Sequence, residues 1–519
     1  MTHQIGRIVI VGGGSAGWLT AAYLNKMLCR SHDDKMSITL VESDEVGPIG
    51  VGEATIPSFV AFLRSIDVPE WRLIAEADAT FKNAIKFVNW DEIPLAGSPA
   101  SSFYHQFDPP PFIHGQSALV HWLALKDAGL EMLPLDQSTS IGSALCEANR
   151  SPKLFNSPPY EAPVPYAYHL DAVKLGALLR AIVIERGVER VVGHVDTIQR
   201  SDNGDISGLT TRDGQYIEGD LFIDCTGFSA LLIEGALGEP FQSHADRLLC
   251  DRAVACQVSL DAENSPPRCY TTATAKRAGW TWEIDLGTRS GVGYVYSSQF
   301  TSDDEAAEQL KAQVGADRQQ TSAPRIIGMR IGRRRDCWVN NCVAIGLSAG
   351  FLEPLESTGL HLVELGVRLL VDHLSEGPAQ TGLRRHYNKL MADVFDDISD
   401  FLVMHYILNG RRSEPFWDHY RNNVAIPDSL KSKLELWAFK VPASTDLVSK
   451  IIVFDGFSYM AVMAGLGVRP QFGGNLSPFM NLEMSASALD EIISRRAIAV
   501  RSLPSHADMI QRLRSISGG

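Results

Sequence analysis

A glycine-rich run near the start of the chain has the spacing of a dinucleotide-binding turn. Residues 12–17 read G-G-G-S-A-G, which contains the pattern G-x-G-x-x-G. In such a turn the glycines let the backbone approach a pyrophosphate, whose charge the following helix N-terminus stabilises. An isolated match is also common in ordinary turns, so the surrounding elements have to decide. The residues assigned to the predicted site are Gly12, Gly14, Ser15, Ala16, Gly17 and Glu42.

The segments around this run predict the βαβ unit that a dinucleotide site requires. Residues 7–11 (RIVIV) are apolar and β-branched, as in a buried parallel strand, and WLTAAYLNKML after the glycines reads as a helix. A second strand, SITLVES, contains Glu42 at its end, where a carboxylate can accept ribose hydroxyls. With strand, helix and acid in place, we interpret the run as a dinucleotide site.

Three later segments favour FAD over NAD as the dinucleotide. GDLFIDCTGFSALL (219–232) and CVAIGLSAGF (342–351) are each an apolar strand that runs into a turn, a pattern typical of further flavin contacts. GPIGVGEATIP (47–57) is a second glycine cluster whose backbone could line the isoalloxazine or the pyrophosphate. The additional predicted cofactor residues are Gly50, Ala54, Thr55, Leu347 and Gly350.

Two tryptophans stand one residue apart in AGWTWEIDLG (278–287). On a strand, Trp280 and Trp282 would project from the same face, because side chains alternate with period two. The pair therefore predicts a one-sided aromatic wall.

The whole chain has the pattern of an α/β protein. We predict a Rossmann-type (βαβ) FAD-binding domain with mixed sheets, followed by a mainly helical C-terminal subdomain. The division is placed at residues 1–380, with interleaved substrate-site segments, and 381–519. The long stretch RRHYNKLMADVFDDISDFLVMHYIL predicts one amphipathic helix, whereas residues 97–112 (GSPASSFYHQFDPPPF) read as a loop.

Composition limits the partners of the chain. The 519 residues carry a formal charge of −14, which argues against nucleic acid or an anionic membrane as the main partner. The eight cysteines lack zinc-site spacing, so we expect no metal and a reducing, cytoplasmic location. The N-terminus leaves no room for a signal peptide, and we expect no membrane span. A homodimer is compatible with this class.

Several stretches together resemble the flavin-dependent tryptophan halogenase family. In order along the chain they are GGGSAGW, VGEATIP, TFKNAIKFVNW, FYHQFD, GWTWEID, FLEPLESTG, FDDISDFLVMHY and AVMAGLG. The resemblance covers nearly the whole chain. It implies that reduced FAD, dioxygen and chloride or bromide yield hypohalous acid, which passes through a tunnel to a lysine and halogenates an aromatic ring. It also implies a separate flavin reductase, since no NAD(P)H site is evident.

The resemblance assigns the catalytic roles to Lys82 and Glu356. An ammonium can hydrogen-bond hypohalous acid and raise its electrophilicity, or a neutral amine can form a haloamine. Lys86, read as one helical turn later on the same face, is the alternative to Lys82. A carboxylate at Glu356 can stabilise the cationic arenium and take its proton, whereas Glu353 reads as a solvated carboxylate at a helix start.

The same resemblance assigns further residues around the substrate. Thr358 and Gly359 match the halide site, although Ser357 and Thr358 could also merely cap the following helix. His105 and Phe107 match the residues that sandwich the aromatic substrate. In the family the two tryptophans obstruct direct contact between substrate and flavin.

Two departures from the family pattern bear on function. Asp285 stands where the family motif W-x-W-x-I-P has proline. Residues 440–460 lack the tyrosine pair and the glutamate that grip free tryptophan, and Phe454 stands where the family has tryptophan. Without paired polar groups a zwitterion is poorly recognised. We therefore expect a small aromatic substrate such as an indole, a phenol or a pyrrole, or a larger indole-bearing molecule, rather than free tryptophan.

Two alternatives from other classes are an FAD-dependent aromatic monooxygenase and a non-catalytic flavin-binding protein. The combination of Lys82, Glu356 and the double tryptophan disfavours both.

Overall fold

The structure is a computed structural model, which describes residues 5–29, 36–45, 47, 52–93, 99–260, 265–315, 318–375, 380–471 and 480–516. Gly50, which the sequence assigns to the cofactor site, lies outside the described residues.

The strands are numbered in chain order. They are β1 Arg7–Val11, β2 Ser37–Glu42, β3 Gly52–Ala54, β4 Thr80–Lys82, β5 Ala84–Val88, β6 Ser102–Gln106, β7 Phe112–Ile113, β8 Gln116–Ser117, β9 Ala167–Asp171, β10 Glu189–Val192, β11 Val195–Arg200, β12 Ile206–Thr211, β13 Tyr216–Glu218, β14 Leu221–Asp224, β15 Phe241–Ser243, β16 Arg252–Ser259, β17 Tyr270–Lys276, β18 Gly279–Asp285, β19 Arg289–Tyr296, β20 Arg325–Gly328, β21 Gly332–Arg334, β22 Trp338–Val339, β23 Cys342–Ala344 and β24 Gly350–Phe351.

The α-helices are numbered in the same way. They are α1 Ser15–Leu28, α2 Ser58–Ser65, α3 Glu70–Glu76, α4 Ala118–Asp127, α5 Leu135–Ser138, α6 Gly142–Glu147, α7 Ala172–Glu185, α8 Asp303–Val314, α9 Gly359–His373, α10 Gln380–Ile407, α11 Pro415–Asn422, α12 Asp428–Trp437, α13 Gly456–Gly465, α14 Leu482–Ser502 and α15 His506–Ser515. Among the described residues no helix is both long enough and apolar enough to span a membrane.

The chain divides into two compact units, each built from three separate segments. The first unit comprises residues 1–79, 170–244 and 330–396, and the second comprises residues 80–169, 245–329 and 397–519. Each unit is described below by itself.

The first unit is organised by a six-stranded sheet in the order β10-β2-β1-β14-β23-β22. Its strands are parallel except for β22, which pairs antiparallel with β23. Ile8 and Ile10 on β1 and Leu40 on β2 are fully buried, as expected for parallel strands that are covered on both faces. Helix α1, which connects β1 to β2, packs against α7 and α9. This is the predicted βαβ unit, and the predicted α/β class is confirmed.

The second unit contains a seven-stranded sheet in the order β20-β16-β19-β18-β17-β5-β6. Its neighbours pair antiparallel, except for the parallel pair β17 and β5. Val254, Val292 and Tyr294 from β16 and β19 form one buried cluster with Leu310 of α8. A second cluster joins α4, α13 and α14 through apolar side chains such as Trp122. The candidate substrate residues lie on this sheet and on the chain around it.

The long helix predicted before residue 408 is confirmed as α10, and helices predominate in the described residues that follow it. The predicted division at residue 380 stays a prediction. The loop predicted for residues 97–112 is partly wrong, because Ser102–Gln106 forms β6 and pairs with β5. Residues 103–105 of this strand are aromatic or histidine, and all three are buried. They form a strand because they pair with β5 at the edge of the sheet, although the prolines that follow favour a loop.

Candidate functional site

The glycine turn of the first unit is built by close backbone approaches. Gly12, after β1, has φ +112, and a Cβ there would lie 2.2 Å from the carbonyl oxygen of Cys225. A Cβ on Gly17 would lie 1.9 Å from the carbonyl oxygen of Gly12. By contrast, no described atom outside the adjoining stretch of chain comes within 4 Å of the Cβ position of Gly14. The turn therefore requires glycine at positions 12 and 17, whereas Gly14 leaves open space beside the helix start.

The N-terminus of α1 fits a pyrophosphate. Gly14 is the N-cap residue, and no side chain caps the helix. Ser15 does not serve as a cap, since its hydroxyl donates to the carbonyl oxygen of Ala172 at 3.1 Å. Uncapped N–H groups at a helix start are donors that suit an anion. This turn, with its open flank, fits the diphosphate of FAD.

Glu42 lies at the end of β2, as predicted, and is held in place by hydrogen bonds. Its carboxylate accepts from Arg190 Nε at 2.5 Å and from Trp18 Nε1 at 3.3 Å. A carboxylate has about four lone-pair positions, so it can still accept from hydroxyl groups. The residue is thus oriented and keeps the capacity to bind a ribose.

The turn at 346–348 packs on the start of α1. Gly346 has φ +77, and a Cβ there would lie 2.8 Å from the Cβ of Ala16, which places half-buried Leu347 beside the glycine turn. Gly350 has a different explanation, because its Cβ would lie 2.6 Å from the carbonyl oxygen of Gly332. Packing between β21 and β24 therefore accounts for glycine at position 350.

The segment around β3 contains an ionisable group that the sequence interpretation missed. Ala54 ends β3, and Thr55 follows it fully buried. Beside them, burial and then the carboxylate of Asp171 raise the pKa of Glu53 to about 7. Glu53 lies within the stretch VGEATIP, which the sequence singled out for its glycine pattern and not for its acid.

The start of α9 fits a small anion. Ser357 has φ +61, a conformation that is strained for a residue with a side chain. Thr358 is buried and occupies the N-cap position of α9, but its side chain makes no capping hydrogen bond. Apart from its chain neighbours and the backbone of α9, no described atom lies within 4 Å of the Cβ position of Gly359. Backbone N–H groups at this helix start can therefore receive a halide.

Glu356 is buried on a 3-10 turn, Pro354–Glu356, immediately before these residues, with 1 % of its surface exposed. Glu353, read from the sequence as a solvated carboxylate, is also completely buried, so that interpretation is wrong.

Lys82 of the second unit is completely buried at the end of β4. Its Nζ lies 5.2 Å from the ring centroid of Phe107, a cation–π distance. The backbone N–H of Phe107 donates to the carbonyl oxygen of Asn83 at 3.4 Å. The structure thus brings together a lysine and an aromatic side chain that the sequence assigned to one site.

Lys86 lies in a different environment. The sequence interpretation placed it on the same helical face as Lys82, but the segment forms strands β4 and β5 instead. Its Nζ is 2.9 Å from a carboxylate oxygen of Glu147 and 4.9 Å from the ring centroid of Tyr104. Lys86 is therefore engaged in a partly exposed ion pair.

The strand register places the tryptophans and His105 on one face of the seven-stranded sheet. Trp282 is level with Ala273, Ala273 with Phe87, and Phe87 with Phe103. Side chains at laterally paired positions point to the same face. His105 follows Phe103 by two residues and so shares this face, which we call the aromatic face. Odd and even positions alternate, so Lys86, next to Phe87 on β5, points to the opposite face.

Trp280 and Trp282 are buried side by side, as the sequence predicts. Their ring centroids are 6.3 Å apart, and the rings are inclined by 57°. Gly293 on β19 makes room for one of them, since a Cβ there would lie 2.0 Å from Cη2 of Trp282. The indoles therefore form a wall that depends on a glycine on the neighbouring strand.

A stacked aromatic pair lies next to His105. Phe454 packs on Phe401 with centroids 4.0 Å apart and an interplanar angle of 21°. The His105 ring centroid lies 5.8 Å from that of Phe401 and 6.2 Å from that of Phe454. Phe401 was missed by the sequence interpretation, although it lies within the quoted stretch FDDISDFLVMHY.

A buried histidine lies level with Thr80 on the strand pair that carries Lys82. His169 is fully buried, and its Nε2 lies 2.9 Å from the hydroxyl oxygen of Thr271. Burial, and then the charge of Lys82, hold the pKa of His169 well below its usual value. His169 is therefore neutral at pH 7, and it adds no second positive charge beside the lysine.

Asp285, where the family pattern has proline, has a defined partner. Its carboxylate accepts from Arg268 Nε at 2.7 Å, from Arg268 Nη2 at 3.0 Å and from the hydroxyl of Ser290 at 2.6 Å. Burial raises the pKa of Asp285, but the hydrogen bond and charge of Arg268 outweigh it and bring the value to about 2. The carboxylate ties the end of β18 to the segment before β17.

Comparison with known proteins places these features in one family. A model of the family described as Tryptophan halogenase matches residues 7–479. The chain is 38% identical to tryptophan 6-halogenase SttH of Streptomyces toxytricini over 97% of each chain. It is 34% identical to tryptophan 7-halogenase RebH of Lentzea aerocolonigenes over 99% of each. A tryptophan halogenase structure from Shewanella frigidimarina NCIMB 400 superposes with a TM-score of 0.91, at 34% identity and 98% coverage of each chain. The chain therefore belongs to the tryptophan halogenase family, whose members are flavin-dependent enzymes.

Proposed function

We propose that the protein halogenates an electron-rich, indole-like aromatic substrate, with hypohalous acid relayed to Lys82. The observation that carries the proposal is the completely buried lysine against Phe107. Desolvation disfavours the charge of a buried ammonium, so such a lysine is either held by partners within the chain, as Lys153 is by the carbonyl oxygens of Pro158 and Glu161, or used in chemistry. The contact with Phe107, which the family resemblance assigns to the substrate, favours chemistry for Lys82.

The cofactor assigned to the glycine turn is FAD, delivered in reduced form by a separate flavin reductase. When bound, reduced FAD would activate dioxygen, the oxidant that converts chloride or bromide into hypohalous acid. The turn at Gly12, Gly14 and Gly17 would hold the diphosphate, and Glu42 the ribose. Backbone N–H groups at Thr358 and Gly359 would hold the halide.

The remaining residues act on the substrate. The ammonium of Lys82 donates a hydrogen bond to hypohalous acid, or the neutral amine takes the halogen as a haloamine. Glu356 stabilises the cationic arenium and accepts its proton. His105, Phe107 and Phe454 supply aromatic surface that orients the ring, and the two tryptophans bar the ring from the flavin while a small oxidised halogen passes.

The proposed substrate is not free tryptophan. In residues 440–460 the acids are already used within the chain. Asp446 accepts from Trp437 Nε1 at 3.0 Å and pairs with Lys440, and Asp455 caps α13 through the N–H of Ser458 at 3.0 Å. This leaves aromatic contacts for recognition, which suit a neutral ring better than a zwitterion.

Three further parts of the proposal concern the whole protein. Residues 381–519 form the subdomain that covers the substrate, which the packing of Phe401 on Phe454 supports. The protein works in the cytoplasm, supported by eight cysteines that are not joined in disulfides. It assembles as a homodimer, which light scattering would test.

The experiment pairs Lys82→Met with Lys86→Met. Each enzyme receives FAD, a flavin reductase, NADH, dioxygen and indole, with bromide or chloride, and products are identified by mass. We expect halogenated indole from the unmodified protein, and its loss in Lys82→Met while reduced flavin continues to be oxidised. Lys86→Met should retain halogenation, because Lys86 points to the opposite face of the sheet from His105.

Two outcomes would contradict the proposal. Halogenation that survives Lys82→Met would remove this lysine from the mechanism. Hydroxylated indole formed without halide would assign the protein to the monooxygenases instead.

A further inference from the structure

His506 is a buried histidine at the start of α15, and its ring contacts backbone atoms from two distant segments. Nδ1 lies 2.8 Å from the carbonyl oxygen of Pro267, and Nε2 lies 3.0 Å from the backbone nitrogen of Phe81. A carbonyl oxygen can only accept and a backbone N–H can only donate, so Nδ1 carries the proton and Nε2 accepts. Burial also lowers the pKa of His506 to about 4, in agreement with a neutral ring.

Hydrogen bonds of the neighbouring backbone fix the position of the His506 ring. The backbone N–H of His506 donates to the carbonyl oxygen of Asn149 at 3.0 Å. The backbone N–H of Ser151 donates to the carbonyl oxygen of Pro504, also at 3.0 Å. The acceptor Pro267 is fixed as well, since its carbonyl oxygen also accepts from the side chain of Asn149 at 3.0 Å.

Asp285 adds to this support from the other side. It accepts from the backbone N–H of Arg268, the residue that follows Pro267, at 3.0 Å. The aspartate that replaces the family proline thus holds the segment on which the imidazole rests.

These contacts converge on the backbone that carries Lys82. On one side of the lysine, the N–H of Phe81 donates to His506 instead of to a neighbouring strand. On the other side, the backbone N–H of Asn83 donates to the carbonyl oxygen of Cys269 at 2.7 Å. The side-chain amide of Asn83 donates to the backbone carbonyl oxygen of Arg150 at 3.0 Å. Strand β4 has three residues and pairs with β9, so the hydrogen bond to Phe81 fixes a short element next to the lysine.

We propose that His506 is a positioning residue for Lys82, because its Nε2 fixes the strand that aims the lysine side chain at the substrate. This inference rests on the role of Lys82 in the proposed function. A reacting group displaced by about 1 Å can lose about a hundredfold in rate, so a small rotation of β4 is enough to matter.

Two amide variants separate the two hydrogen bonds of the ring. In His506→Gln the side-chain amide reaches the position of Nε2 and can accept from Phe81. In His506→Asn the amide reaches the position of Nδ1 and can donate to Pro267, but not accept from Phe81. Both side chains are neutral, and each variant loses one of the two hydrogen bonds, so their melting temperatures should be similar.

The decisive readouts are kcat for halogenated indole and the amount of halogenated indole formed per reduced flavin oxidised. We expect His506→Gln to stay within about threefold of the unmodified protein and His506→Asn to fall about tenfold or more in kcat, with the rate of flavin oxidation unchanged in both. Amide hydrogen exchange of a peptide spanning residues 78–86 should be faster in His506→Asn and unchanged in His506→Gln.

Equal halogenation in the two variants would overturn the proposal, as would equal exchange rates of the peptide. If the unmodified protein forms no halogenated product, the proposed function fails. The exchange comparison still decides whether His506 fixes the strand of Lys82, so the two failures are distinguishable.

Discussion

At the scale of single residues, the site is defined by which charged groups are buried and what partners they have. Lys82 and Lys86 are four residues apart, yet one is completely buried against Phe107 and the other pairs with Glu147 at the protein surface. Asp285 shows the same principle, because its charge is accommodated by the guanidinium of Arg268. A sequence supplies the residue types, but the fold decides which lysine is buried against an aromatic ring.

Replacing Asp285 by asparagine should destabilise the protein in a pH-dependent way. The change removes the nearer of the two carboxylate partners of Arg268, which keeps Glu283 at 3.1 Å. We expect a loss of about 2 kcal/mol in the free energy of unfolding at pH 7, reduced because Arg268 is partly exposed and keeps this second partner. The pKa of Asp285 is lowered to about 2 in the folded protein. Its stabilising contribution is therefore complete above the unfolded-state pKa of about 4 and is lost as the pH falls towards 2.

Urea unfolding at pH 7, 5 and 3.5 measures this difference. It should be constant from pH 7 to pH 5 and shrink at pH 3.5. Asp303→Asn, at a partly exposed ion pair with Arg252, is the control and should change stability less. A difference that stays constant down to pH 3.5 would contradict the assignment of the lowered pKa to Asp285.

At the scale of elements, the tryptophan wall depends on the strands beside it. Trp282 on β18 lies between Ala273 on β17 and Gly293 on β19, and these small residues leave room for the indole. The sequence predicts that the two tryptophans share a face, but not which strands flank them. A one-residue shift in pairing would replace Gly293 by a residue with a side chain.

The substitution Gly293→Ala tests this packing. A Cβ at this position would lie 2.0 Å from Trp282, so the indole has to move, and we expect a loss of about 1–3 kcal/mol in the free energy of unfolding. In a Trp282→Leu background the same substitution should cost close to nothing, because the clashing ring is gone. The coupling in this double-mutant cycle is measured by urea unfolding.

Gly235→Ala is the matched control, since its Cβ would meet no described atom closer than 3.9 Å. An equal cost of Gly293→Ala in both backgrounds would mean that the wall does not depend on this glycine.

Elements that the sequence predicts well are those whose pattern is local. Residues 7–11 are a continuous apolar run and form β1 as predicted, and the long amphipathic stretch forms α10. The sequence interpretation places Lys82 and Lys86 one helical turn apart and residues 97–112 in a loop, whereas the structure has strands at Thr80–Lys82, Ala84–Val88 and Ser102–Gln106. They are short strands of mixed polarity, whose conformation is settled by pairing with β9, β17 and each other and not by their own periodicity.

At the scale of the whole molecule, the candidate site is assembled from segments far apart in the chain. Phe81 and His506 are 425 residues apart in sequence and joined by one hydrogen bond. A lone histidine near the C-terminus carries no pattern, so no reading of the sequence could have connected it to Lys82. The family motifs do predict site roles for Lys82 and His105, because the proposed chemistry constrains those residue types locally.

The proposed choice of substrate is also argued at this scale, since recognition depends on how the C-terminal segments use their polar groups. With Asp446 and Asp455 engaged within the chain, an amino-acid ammonium and carboxylate would be desolvated without full compensation.

We therefore expect 3-methylindole to have a kcat/KM at least about tenfold above that of free tryptophan. Tryptamine and indole-3-propionate, which carry one charge each, should fall between them. The four substrates share the same ring, so the comparison isolates the charged groups. A kcat/KM for free tryptophan equal to or above that of 3-methylindole would show that the protein grips the zwitterion with other residues.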